Sequence, residues 1–425
     1  MSIPASVDVL VIGGGPAGST AAAELAMKGI DVALIDKQHH PRETVGESIL
    51  PSAWKYFDRL GVSDTIKANF VRKAGGVVVW GDQISEIAFK DFGYTRPGLH
   101  VERDEFDDLL LRNAAAKGAR IHEGYRAESF AAGDTPEVTV IDDGGARHVI
   151  KCRQFIDATG QAAFVGRQLN TRRLNPDFRF VALWGYFENS RYFSAGGIAR
   201  DFAEIPQHPP LTFVTRLGGW GWSWHIPMKR NTSVGLVIPI EDYKRELPRY
   251  ASQEAYFLAR AAATPHLGDL LANARLTNGP VRMMRDFSYN CDTLSAPGFL
   301  ATGDAAGFID PIFSIGVVFA LYGGHLAAWA TERILARPAH AATTRMLFET
   351  QIKGRAQLAY ALALPGIDRA ATDAARATFD YFSAEEKALM WSAASMTTRS
   401  DNVVRAAGGS AHSHIKRRDL ANLTL

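Results

Sequence analysis

Residues 7–36 read VDVLVIGGGPAGSTAAAELAMKGIDVALID. The run 7–12 is apolar and β-branched, as a buried strand requires, and it ends abruptly in GGGPAG at 13–18. Residues 19–28 are good helix formers closed by Gly29, and 31–35 form a second strand ending at Asp36. This is a βαβ unit with a phosphate-binding turn between strand and helix. Gly13, Gly15 and Gly18 let the chain turn tightly. With Pro16 and Ala17 they bring backbone N–H groups and a helix N-terminus against a pyrophosphate. Asp36, followed by Lys37, stands where an acid accepts from a ribose hydroxyl.

Outward from this unit the dinucleotide fold is interrupted and revisited. Residues 42–48 (RETVGES) form a loop, and a helical segment begins at Pro51. Residues 75–80 and 84–89 read as strands of a second sheet. Residues 104–117 are amphipathic and open with Asp104 as the expected cap. The pair 138–141 and 149–156 reads as a hairpin leading back to Asp157-Ala158-Thr159-Gly160. From 178 to 240 the chain is strand-rich and aromatic, and 254–274 reads as helix broken at Pro265. Residues 298–301 form a short strand into Gly303-Asp304, expected to open a helix whose N-terminus faces the same anion. A buried helix follows, then a helical tail with 408–418 as a mobile end. Asp157-Ala158-Thr159-Gly160 and Gly303-Asp304 resemble the segments of FAD enzymes with the glutathione-reductase-type fold, and the resemblance implies an α/β fold: an FAD-binding Rossmann-like domain, aromatic-hydroxylase-like. It comprises 1–75, 100–165 and 285–335. A β-rich substrate domain (76–99 and 166–284) is inserted, and 336–425 form a short helical C-terminal region.

Composition sets the outer bounds. Of 425 residues, 47 are Lys or Arg and 45 Asp or Glu, a net charge of +2. Such a balance argues against a nucleic-acid binder, and 47% hydrophobic residues exclude a disordered chain. Two cysteines, Cys152 and Cys291, make neither a disulfide framework nor a metal site, so a reducing, cytoplasmic setting is expected. His412 and His414 form an HxH on the tail, and a metal is not expected there. Residues 308–330 are apolar but contain Asp310, Pro311 and His325, which excludes a membrane span as their reading.

Three further motifs narrow the class. Val45-Gly46-Glu47-Ser48 precedes Ile49-Leu50-Pro51. Trp222-Ser223-Trp224-His225-Ile226-Pro227 fits WxWxIP. Phe308-Ile309-Asp310-Pro311-Ile312-Phe313-Ser314-Ile315-Gly316 fits FxxPxxSxG. Over residues 5 to about 335 the chain resembles the flavin-dependent halogenases, nearest the group acting on pyrrole, phenol and carrier-bound substrates. Halogenase-like flavin monooxygenases of tryptophylquinone biosynthesis are a second resemblance.

The resemblance implies FAD, reduced by a separate NAD(P)H flavin reductase, together with O2 and chloride or bromide. It implies that a flavin C4a-hydroperoxide oxidises halide, and that a lysine presents electrophilic halogen to an electron-rich ring. Lys73 stands at the position of that lysine, Trp222 and Trp224 form a wall between flavin and ring, and Glu47 and Ser314 complete the catalytic set. Arg42, Ser48, Arg103, Asp157, Gly303, Asp304, Pro311 and Gly316 join the residues of the first turn around FAD. One position departs from the pattern: Ile315 replaces the usual Ser or Thr of the halide loop. The alternative implied activity is hydroxylation, including that of a tryptophan in a partner protein. Free, carrier-tethered and protein-bound substrates all stay open, and no nucleic acid or membrane partner is expected.

Overall fold

The computed structural model describes residues 3–80, 83–218, 221–277, 279–363, 383–396 and 416–419. Strand Ser6–Ile12 lies at the centre of a parallel layer, between Val32–Asp36 on one side and Arg147–Asp157 on the other. Arg120–Glu123 and Phe299–Ala301 extend the two edges, also in parallel. The chain therefore leaves this layer and comes back to it. The strands are apolar on both faces because both are covered. Val9, Val11 and Leu34 pack under helix Pro16–Ala26, while Leu10, Ile12 and Ala33 share a core on the other face with Val138, Val140 and Phe155. Helices Pro16–Ala26 and Gly316–Ala336 pack so closely that a Cβ on Gly324 would lie 2.2 Å from the Ala17 carbonyl oxygen.

The second sheet has nine strands and holds the aromatic stretch of the sequence. Alternation sorts its side chains by face. Trp222, Trp224 and Ile226 of strand Gly221–Pro227 share a core with Val214, Ala182 and Trp184. Val181, Leu183, Phe213 and Val234 face the opposite side, covered by Tyr256, Phe257 and Ala261 of helix Gln253–Ala262. A small three-stranded sheet joins the two large ones: Ser48–Ile49 and Val71–Lys73 flank Gly98–His100. Ser48 lies opposite His100, and Lys73 opposite Gly98.

Three sequence expectations change. The helix expected from Asp104 is Arg103–Ala116; Asp104 sits in its first turn and accepts from Glu105 N–H instead of capping. The break expected at Pro265 is there, between helices Gln253–Ala262 and Leu267–Leu271. Gly303–Ala305 is a single short turn, and the long helix begins only at Gly316. Within the tail expected to be mobile, Lys416–Asp419 is a strand antiparallel to Gln83–Ala88; residues 408–415, with His412 and His414, lie outside the described residues. Among the described residues, no helix is long and apolar enough to cross a membrane.

Candidate functional site

A cleft of about 680 Å³ runs between the parallel layer and the aromatic face of the nine-stranded sheet. This size is typical of cofactor sites, which span roughly 300–1,000 Å³. Gly13, Gly15, Pro16, Ala17, Asp36, Lys37, Arg42, Arg103, Asp304, Pro311 and Gly316 all line it, as do Glu47, Ser48, Trp222, Trp224 and Ser314. Asp157, Gly18 and Gly303 do not. Asp157 is fully buried behind the turn, where its carboxylate accepts from the N–H groups of Thr159 and Val165 and from the Thr159 hydroxyl. It shapes the loop and does not reach the cleft. Gly18 is a packing residue, since a Cβ there would lie 1.9 Å from the Gly13 carbonyl oxygen.

The cleft suits an elongated, anionic, partly aromatic ligand. Gly13 has φ +109, and a Cβ there would lie 2.3 Å from the Ala158 carbonyl oxygen, so only glycine makes this turn. Two helix N-termini, at Pro16 and Gly316, reach the cleft with no side-chain cap, leaving their N–H groups and positive dipole ends for a bound anion. Trp184 and Trp222 line the cleft, and their buried indole N–H groups have no hydrogen-bond partner among the described residues. The residues present fit FAD.

Charge around the cleft is arranged by the loop 42–48. Arg103 forks onto Asp107 at 2.9 and 3.0 Å and donates to the Val45 carbonyl at 2.7 Å. Arg42 lies 3.3 Å from the same Asp107. Asp36 accepts from Gly14 N–H at 2.6 Å and from Gln38 N–H at 2.8 Å, so it braces the turn as well as lining the cleft. Glu47 is buried, accepting from Gly46 N–H and from the Tyr186 hydroxyl at 3.0 Å. Burial pushes the Asp304 carboxyl up to about 6, against the pull of Arg103.

Lys73 occupies a second, smaller cavity, of about 60 Å³. It is 3% exposed, whereas neighbouring Arg72 is exposed. Desolvation lowers its amine from 10.5 to about 7. Its Nζ donates to Ser48 Oγ at 2.7 Å and sits 5.3 Å from the Phe89 ring centroid. The rest of the described lining is largely apolar: Leu50, Val78, Ile87, Ile315 and, from helix Ala384–Met396, Leu389, Met390 and Ala393. Thr212, Val214, Ile312 and Ser314 line both cavities and form the partition between them. Trp222 and Trp224, with ring centroids 5.8 Å apart, lie on the cleft side of that partition. The Ile315 side chain faces the lysine cavity, while the adjoining Ser314 and Gly316 face the cleft as well or instead.

Sequence reasoning missed Thr212, His100, Tyr186 and the C-terminal helix residues. Thr212 carried one faint signal, a polar side chain on the same strand face as Val214.

A fold that returns to its parallel layer, with a glycine turn and two helix N-termini on one cleft, defines an FAD-binding oxidoreductase. The FAD binding domain family matches residues 6–330. The chain is 33% identical over 360 residues to the tryptophan 2-halogenase of Chondromyces crocatus, covering 83% of this chain and 66% of that protein. It is 34% identical over 346 residues to flavin-dependent halogenase armH1 of Armillaria mellea, covering 77% and 65%. It thus spans just under two thirds of the length of these two relatives. The solved myxobacterial chondrochloren halogenase CndH superposes with a TM-score of 0.77 at 27% identity, covering 94% of this chain and 99% of that one. The chain belongs to the flavin-dependent halogenase family.

Proposed function

We propose that this chain halogenates an electron-rich, uncharged aromatic ring, using reduced FAD from a separate flavin reductase, O2 and chloride or bromide. The observation that carries this reading is Lys73, a buried amine lowered to about 7 in an apolar cavity that shares a thin partition with the FAD cleft. Bound reduced FAD supplies two electrons to O2, so that halide leaves as hypohalous acid and the second oxygen atom as water. The uncapped N-terminus at Gly316, beside Ser314, offers backbone N–H groups to the halide anion. Ile315 leaves those backbone donors in place and narrows the lysine cavity instead.

Lys73 then acts on the oxidised halogen. Its neutral amine forms an N–X bond, its proton leaves with the oxygen as water, and the N–X bond breaks as the ring takes the halogen. The displaced ring proton returns to the amine. A low amine basicity makes the neutral form available near pH 7. The apolar lining excludes water, which would otherwise consume the electrophile. The described lining carries Lys73 as its one charged group, and this suits an uncharged phenol or pyrrole.

The test is bromination of a simple phenol or pyrrole, with reduced FAD supplied and product read by mass spectrometry. Lys73→Met is expected to lower brominated product at least about 100-fold, the scale of a lost acid–base group, while FAD binding is kept. Full bromination by Lys73→Met would remove the lysine from the reaction. An oxygenated, halogen-free product would point to hydroxylation.

A further inference from the structure

Lys73 is one end of a buried chain of polar groups. Its Nζ lies 2.7 Å from Ser48 Oγ, which lies 3.1 Å from Thr212 Oγ1. Thr212 Oγ1 lies 2.8 Å from His100 Nε2, and His100 Nδ1 lies 2.8 Å from the Pro227 carbonyl oxygen. All four side chains are buried. The direction of each proton follows from the far end. A carbonyl only accepts, so Nδ1 carries the hydrogen. Burial and the field of Lys73 hold the His100 ring neutral, so Nε2 is bare and accepts from the Thr212 hydroxyl. Thr212 has spent its one proton and accepts from Ser48. Ser48 has spent its own and accepts from Lys73. Every donor therefore points from the lysine towards Pro227.

We propose that Thr212 and His100 are positioning residues for Lys73, acting through Ser48 so that the free side of the lysine nitrogen faces the apolar cavity. The proposal rests on the reading of Lys73 as the halogen carrier. Pro227 ends the strand that bears Trp222 and Trp224, so this chain ties the lysine to the tryptophan strand. The small sheet makes it possible, with Ser48 opposite His100 and Lys73 opposite Gly98. Gly98 is needed there: a Cβ would lie 2.7 Å from the Ile49 carbonyl oxygen and 3.2 Å from Lys73 Cδ. Thr212 comes from the nine-stranded sheet and sits in the partition between the cavities. Among the described residues no carboxylate lines the lysine cavity, and His100 is the titratable group coupled to Lys73.

The test is trace labelling of the FAD-loaded protein with acetic anhydride across pH, with Lys73 acetylation read by mass spectrometry. In Thr212→Val the freed Ser48 proton turns onto the lysine amine and favours its neutral form. The Lys73 titration midpoint is expected to fall by about 0.5 pH, the scale of one neutral hydrogen bond. Thr212→Ser, which keeps the hydroxyl, is expected to restore it, and His100→Leu to reproduce the fall if Thr212→Val does not fold. One midpoint shared by wild type and every folded variant would overturn the proposal. Bromination measured on the same proteins separates the two readings. A moving midpoint without any bromination sinks the halogen-carrier role alone; bromination with an unmoved midpoint sinks the positioning chain alone.

Discussion

At the scale of the residue, Lys73 shows why charge alone misleads. In Val71-Arg72-Lys73 both basic residues look solvated, yet a strand sends neighbours to opposite faces, and Arg72 is exposed while Lys73 is buried. Its amine falls from 10.5 unfolded to about 7 folded. Between these values the unfolded state binds more protons, so stability rises with pH across that window and is lowest below pH 7. Lys73→Met is therefore expected to stabilise the protein at pH 6, by up to about 5 kcal/mol, with the gain shrinking towards pH 10. Urea unfolding of both proteins at pH 6 and 9.5 measures this; an equal gain at both values would contradict burial as the cause. The protein keeps a costly amine where a methionine would pack, as expected of a residue held for chemistry.

At the scale of the element, strand alternation was legible and helix ends were not. The sequence places Trp222 and Trp224 on one face, and they line the cleft together. It does not show what makes room for them. Gly235 pairs with Trp224 on the neighbouring strand, and a Cβ there would lie 2.1–2.4 Å from three atoms of the indole. Gly235→Ala is expected to displace the Trp224 ring at a cost of about 1–3 kcal/mol, typical of overpacking. Thermal unfolding measures the cost, and unchanged stability and tryptophan fluorescence would show that the ring has space. Gly303-Asp304 reads locally as a helix start, yet it forms only a short turn. Gly307, at φ +157, turns the chain into a strand against Tyr289 and Asn290 instead. That pairing is set by a distant strand and leaves no local mark.

At the scale of the whole molecule, the cleft exists only because separated segments return to one layer. The first turn, the loop 42–48 and the FxxPxxSxG segment were legible because each carries its own local signature. His100, Thr212 and Tyr186 were not, because their partners lie 112, 164 and 139 residues away. Long-range assembly also makes the ligand part of the fold's stability. FAD at about 100 times its Kd is expected to add about 2.7 kcal/mol, read as a rise in Tm. In Gly13→Val, where the turn cannot form, that rise should vanish. The C-terminal helix Ala384–Met396 completes the lysine cavity and is held to the body of the protein by Lys55–Glu386 at 3.0 Å. In the proposed reaction, halogen made in the cleft is delivered by Lys73. One single-turnover experiment tests it: photoreduce the FAD-loaded protein without oxygen, mix it with oxygenated buffer, bromide and a phenol, and assay product by mass spectrometry for wild type and Lys73→Met. Brominated phenol is expected from wild type alone, with flavin reoxidised in both. Equal bromination by both proteins, or a product carrying oxygen and no bromine, would contradict it.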